Sequence, residues 1–544
     1  MFPALNADEI DRLCRFGEPR SYAAGEAVVQ VGEVGPGLAL VLEGEIAATQ
    51  RDQTGHTRHI VTHQRGNFMG ELAQLSGRPY LVDEIALTDA EIMAIPADKL
   101  RALLIAEASL GERIMRALIL RRVGLIESGA GPIVIGAEGD ANVLRLTNFL
   151  RRNGHPQQRL DPVSDACGRT LVERFSVAPE ELPIVLCPGG QILRNPSEGQ
   201  LARCVGLVGK LDEDRLFDVV IVGSGPAGLA SAVYAGSEGL SVLMLDCRSF
   251  GGQAGASARI ENYLGFPTGI SGIALMARAF NQAQKFGVEV AIPDEAIKLE
   301  CGNDPCRIDL ATGERIKART VIIATGARYR RLEVDRLEEF EGISVHYWAS
   351  PLEAELSRGE QVALVGGGNS AGQATVFLAE HAAHVTLIAR RPLRYTMSQY
   401  LVHRIESLAN VTVVADAEVT GFEGESGALS SIRVRNRSSG DKSRRDVRYL
   451  FSFIGAEPNT DWLAASGLKR DNQGFLLAGA DGRFPLETSR NGVFAVGDVR
   501  SGSIKRVASA VGDGAQVVAA IHAYLAKGAE RVATPGLQVT VTAV

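Results

Sequence analysis

Tryptophan is nearly absent from this chain, with 2 residues in 544, and aromatic side chains make up only 6% of it. Neither sign of charge dominates: 57 Lys and Arg stand against 64 Asp and Glu, for a formal net charge of -7. With no basic cluster on any long stretch, that balance argues against a nucleic-acid partner. Apolar runs fall far short of the roughly 20 residues that a bilayer span needs, so no membrane partner is expected. The opening segment, Met1 to Glu18, is polar and acidic, unlike a signal or transit peptide, and a cytoplasmic location is the expectation. Cysteine is sparse as well. Cys14, Cys167, Cys187, Cys204, Cys247, Cys301 and Cys306 form no CxxC and no metal-ligand spacing, so no metal is expected. Cys301 and Cys306 flank the turn Gly-Asn-Asp-Pro, where a disulfide and two reduced thiols both fit the spacing; reduced thiols suit a cytosolic chain.

What the chain has in excess is glycine, 60 of 544 residues against roughly 7% in ordinary proteins. Glycine in that amount suits many tight turns and close backbone approaches to phosphates. The length is too great for one core and suggests three or four domains.

The clearest signal begins at Phe217. A largely apolar run to Val222 reads as a buried parallel strand, and it feeds Gly223-Ser224-Gly225-Pro226-Ala227-Gly228 and a helix. In such a turn Gly223 permits the bend, Gly225 lets the backbone reach a pyrophosphate, and Gly228 lets helix and strand approach; the helix N-terminus offers free N–H groups to phosphate. A second strand, Ser241 to Leu245, ends in Asp246, where a carboxylate accepts ribose hydroxyls. A second unit of the same kind follows. Gln361 to Val365 leads into Gly366-Gly367-Gly368-Asn369-Ser370-Ala371 and a helix, and its next strand, His384 to Ile388, ends in Ala389-Arg390-Arg391 with Arg394 beyond. A carboxylate there would take the 2′-hydroxyl of NAD, whereas guanidinium groups suit the 2′-phosphate of NADP, so NADPH is the expected nucleotide.

Between and beyond these units stand Gly251-Gly252-Gln253, Ile260 to Pro267 with Glu261-Asn262, Thr320 to Gly326 with Ala324-Thr325-Gly326, and Gly492 to Asp498 ending in Gly497-Asp498. Together these segments resemble the low-molecular-weight thioredoxin reductases of the pyridine nucleotide-disulfide oxidoreductases. The resemblance covers about residues 217–530. It implies FAD and NADPH as cofactors, with FAD held by Gly223, Ser224, Gly225, Pro226, Ala227, Asp246, Gly252, Gln253, Asn262, Thr325, Gly326, Gly497, Asp498, Lys505, Arg506 and Val507. Gly366, Gly368, Asn369, Ser370, Ala371, Arg390, Arg391 and Arg394 would hold NADPH. The resemblance also implies a homodimer. It departs at one place: Trp348 and Pro351 stand where that family carries its two redox cysteines, so the internal relay to a disulfide is missing and the electron acceptor is left open.

Residues 1–128 read as short strands punctuated by glycine and then helix, a pattern that resembles the cyclic-nucleotide-binding β-roll. In that family a Gly-Glu-Leu segment opens the phosphate cassette, the Glu takes the ribose hydroxyl, and an Arg about nine residues later pairs with the phosphate. Gly70 and Glu71 match; Arg78 comes early and is followed by Asp83 and Glu84, which would repel an anion. A bound cyclic nucleotide and a degenerate docking roll both fit. After a linker at Gly129-Ala130-Gly131, residues 132–210 alternate strand and helix in an order that resembles thioredoxin, with Leu182-Pro183 where that fold keeps a cis-proline but no CxxC.

The expected architecture is therefore multidomain. A β-roll at 1–128 precedes a thioredoxin-like α/β domain at 132–210, and two Rossmann-type α/β domains follow. The FAD domain is discontinuous (215–330 and 457–530), the NADPH domain is inserted at 331–456, and 531–544 form a tail. The expected function is hydride transfer from NADPH to FAD and onward to an unidentified acceptor, a protein or a small molecule. The alternatives are a regulatory flavoprotein with little turnover, or a thioredoxin-disulfide reductase that borrows its partner's cysteines.

Overall fold

A computed structural model describes the chain except for residues 1, 52–56, 77, 128–130, 189, 209–210, 258, 261, 302–304, 350, 426, 480–482 and 534–544. At the N-terminal end, short strands form two four-stranded sheets. One runs Glu18–Tyr22, Ala90–Ile95, Leu38–Glu43, Phe68–Met69; the other runs Ala27–Val29, Asp83–Ala86, Ile46–Arg51, Thr57–His63. Alternation explains the pairing: Leu38, Leu40, Phe68 and Ile95 point into one buried cluster with Leu100 and Leu103 of the helix Ala97–Ala106. Gly37 makes the close approach possible, because a Cβ there would lie 2.2 Å from the Ile95 carbonyl. The long helix Ala108–Glu127 closes the roll. This is the β-roll that the glycine-punctuated pattern predicts.

A smaller mixed sheet follows, in the order Gln158–Leu160, Ile133–Ile135, Ile184–Leu186, Ile192–Arg194, with its first pair parallel and the rest antiparallel. Its helices Ala141–Arg152, Ala166–Arg174 and Glu198–Cys204 start where the sequence places cap residues: Asp140, Asp165 and Ser197 each accept from first-turn backbone N–H groups. The Leu182–Pro183 peptide is cis. A bond that the cysteine spacing does not announce also lies here: Cys187 and Cys204 are joined by a disulfide, with Cα atoms 6.0 Å apart. Cys301 and Cys306 are not joined to each other, and the Cys301 thiol faces the Ser466 carbonyl instead.

Two nucleotide-type sheets form the rest. The first has seven strands, with Leu216–Val222 between Val242–Leu245 and Arg315–Ile323, all parallel, and Val493–Ala495 returning beside Arg315–Ile323. Val219, Val220 and Ile221 are fully buried because both faces are covered, which is why that run is nearly all apolar. The second sheet is parallel throughout, in the order Val345–His346, Tyr449–Ser452, Gln361–Val365, His384–Ile388, Val411–Val414. A three-stranded antiparallel sheet, Ala417–Glu425, Ala428–Asn436 and Lys442–Asp446, extends it. The chain crosses between the two large sheets through Ala327–Tyr329 and Ala456–Pro458, which pair antiparallel.

The N-terminal layers pack onto this body through named contacts. Arg122 Nε donates to the Gly154 carbonyl at 3.0 Å, and Asn153 Nδ2 donates to the Arg248 carbonyl at 3.2 Å. His155, at the same junction, is buried with Nδ1 2.8 Å from the Pro156 carbonyl. Burial, and then the charge of Arg122, pushes its pKa down to about 3. An unfolded histidine titrates near 6.5, so between about 6.5 and 3 the unfolded chain binds the extra proton. The stability from keeping His155 neutral is thus complete above about pH 6.5 and is lost as pH falls toward 3. Thermal unfolding from pH 7.5 to 4.5 is expected to show a falling midpoint, with a shallower fall in His155→Gln; parallel curves for the two proteins would refute the assignment.

Candidate active site

A cleft of about 880 Å³ is lined from both large sheets and from the small mixed sheet's layer. Its first wall is the turn after Leu216–Val222. Gly223 has φ +109 and a Cβ there would lie 2.3 Å from the Ala324 carbonyl; a Cβ on Gly228 would lie 1.9 Å from the Gly223 carbonyl. Gly225 faces open space on its side, with only the Gly252 Cα within reach at 3.9 Å. The helix Pro226–Ser237 begins here with Gly225 as its N-cap and no side-chain cap, so its first N–H groups are left for a ligand.

Asp246 lies on the cleft at the end of Val242–Leu245, as its place in the sequence predicts. The structure adds a partner. Asp246 Oδ2 accepts from the Ser224 backbone N–H and from Ser224 Oγ, each at 2.8 Å, and Oδ1 accepts from the Arg248 N–H at 3.1 Å. Burial raises its pKa while these bonds oppose the rise. The carboxylate thus holds the glycine turn in shape as well as facing the cleft.

Pro226, Ala227, Gly252, Gln253, Thr325, Gly326, Gly497, Asp498, Lys505, Arg506 and Val507 also line the cleft. The Gln253 side-chain amide donates to the Ala327 carbonyl. Asp498 is pushed up by burial, with Lys505 opposing, and Lys505 Nζ donates to the Asp498 carbonyl at 2.5 Å while lying over the Phe475 ring. The helix Val507–Ala533 starts at the cleft edge. Asn262 is exposed and is not among the lining residues, and Ser224 is fully buried behind the turn.

The second glycine turn opens on the same cleft through Ser370. The helix Asn369–Ala379 has Gly368 as its N-cap without a side-chain cap, and nothing stands within 4 Å of a Cβ on Gly368. Gly366 has φ +150 and backs onto the Phe453 carbonyl; Asn369 Oδ1 accepts from the Ser398 N–H at 2.7 Å; Ala371 is buried in the core below. Arg390, Arg391 and Arg394 are exposed outside the cleft lining, and none is held in an ion pair among the described residues.

Many lining residues were not singled out from the sequence for this cleft, among them Arg152, Cys247 and Trp462. Arg152 comes from the helix Ala141–Arg152, and its guanidinium lies 5.4 Å from the centre of the Trp348 ring. Trp348 Nε1 donates to Glu353 Oε1 at 3.0 Å, so the indole is held from both sides. Pro351 begins the helix Pro351–Leu356. Cys247 is the one cysteine on the cleft among the described residues, and its thiol is pushed up to about 11 by burial and then by Asp246. A single neutral thiol cannot form the disulfide that a dithiol relay requires.

Residues 217–514 match the family described as pyridine nucleotide-disulphide oxidoreductase, and residues 19–107 match the cyclic nucleotide-binding domain. The chain belongs to the pyridine nucleotide-disulphide oxidoreductases. It is 33% identical over 298 residues to a thioredoxin reductase of Mycolicibacterium smegmatis, covering 55% of this chain and 93% of that one. It is also 33% identical over 321 residues to an alkyl hydroperoxide reductase polypeptide of Escherichia coli, covering 58% of this chain but only 60% of that protein. Among solved structures, the thioredoxin reductase of T. acidophilum superposes with a TM-score of 0.54 at 31% identity, over 58% of this chain and 99% of that one. Thioredoxin reductase-like members of this family use FAD and NADPH.

The residues present fit both groups. Two helix N-termini without side-chain caps follow the glycine turns. The first faces the cleft through Gly223 and Gly225 and the second through Ser370, while Gly366, Gly368, Asn369 and Ala371 lie outside the cleft lining. Gly225 and Gly368 leave space where a side chain would block a phosphate. What keeps the two turns together is a reciprocal pair at the crossing: Thr325 Oγ1 donates to the Asn459 carbonyl at 2.8 Å and Asn459 Nδ2 donates to the Thr325 carbonyl at 2.9 Å. Removing one partner of a half-buried pair costs about 1–3 kcal/mol. Asn459→Ala is expected to lower the unfolding free energy by about that amount and to reduce the FAD retained on purification; full retention with unchanged stability would rule out the clasp.

Proposed function

We propose that this protein is an NADPH-dependent flavoprotein reductase that delivers electrons to an acceptor arriving from outside the chain, under the influence of its N-terminal layers. The observation that carries this reading is one cleft that takes in the first glycine turn and, through Ser370, the first turn of the helix after the second, and that is walled by Trp348 rather than by a dithiol. FAD bound there would supply two-electron chemistry, taking a hydride from NADPH and releasing electrons to the acceptor.

The chain's own residues bind and orient. Gly223, Gly225, Pro226 and Ala227 would receive the FAD pyrophosphate, and Asp246, braced by Ser224, would accept ribose hydroxyls. Asp498, Lys505 and the start of the helix Val507–Ala533 would hold the flavin end, where a helix N-terminus favours developing negative charge. Gly366, Gly368, Asn369, Ser370 and Ala371 would receive the nicotinamide nucleotide, and the exposed Arg390, Arg391 and Arg394 would pair with a 2′-phosphate. Trp348, pinned by Arg152 and Glu353, fills wall space and excludes water. The layer carrying Arg152 is read as a thioredoxin-like docking module without dithiol chemistry, since its two bonded cysteines, Cys187 and Cys204, are 17 residues apart.

Regulation has a physical route. Glu71 Oε1 pairs with Arg122 at 3.2 Å, Arg122 holds the Gly154 carbonyl, and Arg152 two residues earlier touches Trp348.

Anaerobic titration of the purified protein with NADPH is expected to bleach the flavin's visible absorbance stoichiometrically. Failure with both NADPH and NADH would sink the reductase reading. In Arg390→Ala/Arg391→Ala the KM for NADPH is expected to rise at least tenfold with little change for NADH, which is the loss of roughly 1.4 kcal/mol or more of phosphate pairing. An unchanged preference would refute the arginine assignment.

A further inference from the structure

The β-roll encloses a second cavity of about 230 Å³ that shares no residue with the nucleotide cleft. Its wall carries polar atoms withdrawn from water and left without a hydrogen-bond partner, among them Glu71 Oε2, Glu84 Oε2 and His63 Nδ1. These residues are only 5%, 2% and 2% exposed. A buried acceptor without a donor is destabilising, and folded proteins keep such atoms where a ligand or water completes them. Burial raises the Glu84 carboxyl to about 7 against the pull of Arg121, and it lowers His63 to about 4.

The wall is poorly arranged for an anion. Nine residues beyond Glu71, where the resembling cassette keeps its phosphate-pairing arginine, stands Tyr80, a fully buried ring whose hydroxyl donates to the Gly37 carbonyl. Arg78 is not among the lining residues. Arg121 does line the cavity, but its guanidinium donates to the Gly70 carbonyl at 2.8 Å and lies 4.8 Å and 4.6 Å from the Phe2 and Phe68 ring centres. The remaining cation is Arg58, on the exposed end of Thr57–His63. A phosphate entering here would face two carboxylates beside an arginine already engaged. A donor would find two vacant carboxylate oxygens beside the apolar side chains of Val61, Leu81 and Val82.

We propose that this cavity binds a small phosphate-free molecule that presents amino, amidino or hydroxyl donors from an apolar body to Glu71 and Glu84. The proposal deepens the regulatory reading given above and rests on it. Glu71 is the shared residue: one carboxylate oxygen is vacant toward the cavity and the other holds Arg122, whose Nε holds Gly154. A donor on Glu71 weakens its grip on Arg122 and so reaches Arg152 and Trp348 at the cleft wall.

The test uses the full-length holoprotein. Calorimetric titrations with benzamidine, with adenosine and with 3′,5′-cyclic AMP are expected to show at least one phosphate-free probe binding ten times or more tighter than the cyclic nucleotide. Glu84→Gln is expected to weaken that probe at least tenfold. Val61→Phe, which keeps every polar group and fills the space, is expected to abolish binding even if Glu84→Gln folds poorly. Saturating probe is expected to change NADPH-driven turnover at least twofold, an effect lost in Arg122→Ala. Tighter binding of the cyclic nucleotide, no binding by either phosphate-free probe, or binding that survives Val61→Phe would overturn the ligand assignment, and bound probe with unaltered turnover would overturn the coupling. None of these touches the reductase reading, which fails only if ligand-free wild-type protein cannot be reduced by NADPH or NADH.

Discussion

Two hydrogen bonds at the crossing between the large sheets, Thr325 with Asn459 in both directions, set the geometry on which the cleft depends. Each glycine turn is local to its own sheet, and neither sheet knows where the other lies. The paired strands Ala327–Tyr329 and Ala456–Pro458 connect them, and a two-strand ribbon alone is weak. The clasp converts that ribbon into a fixed joint, with Gln253 adding a third bond to Ala327. A cleft built from two bodies needs such a joint, because misplacement by an ångström at the reacting atoms is costly in rate.

The N-terminal layers are held to one another by charge-assisted contacts. Arg122 is largely buried and serves Glu71 and Gly154 together, so it cannot be freed from one without disturbing the other. Buried pairs of this kind add little net stability, since desolvation offsets attraction, but breaking one partner leaves an uncompensated charge. Such a pair is therefore a sensitive connection between the β-roll and the cleft rather than a strong one.

The two glycine turns could be read from the sequence because their constraint is local. A backbone that bends at positive φ, as at Gly223 and Gly366, or lies where a Cβ would come within 2.5 Å of a neighbouring carbonyl, as at all three of Gly223, Gly228 and Gly366, tolerates only glycine, so these residues betray the turns without any tertiary knowledge. The position of Asp246 was legible for the same reason, but its bracing by Ser224 was not, because that contact depends on how two turns from adjacent strands meet. Cys187 and Cys204 lie 17 residues apart on a turn and a helix end, and nothing in their spacing distinguishes them from the other cysteines. Arg152 was invisible as a cleft residue because a separate layer carries it there. Tyr80 could have been found, since it stands nine residues beyond Glu71, but the charge of the nearby Arg78 is the stronger sequence signal and it points away from the ring that fills the place.

The consequence of Trp348 follows from size and chemistry together. A dithiol on the cleft wall stores two electrons and must move to pass them on; an indole stores none and has no exchangeable bond. Pinned by Arg152 on its face and by Glu353 at its N–H, this indole is also held in place. The cleft wall that carries Trp348 is thus tied to the N-terminal layers, and those layers are tied through Arg122 to Glu71 of the β-roll. Replacing the cysteines removes a carrier and supplies a fixed contact in the same place. On the reading proposed above, the contact that takes the place of a carrier is also the point at which the β-roll would reach the cleft.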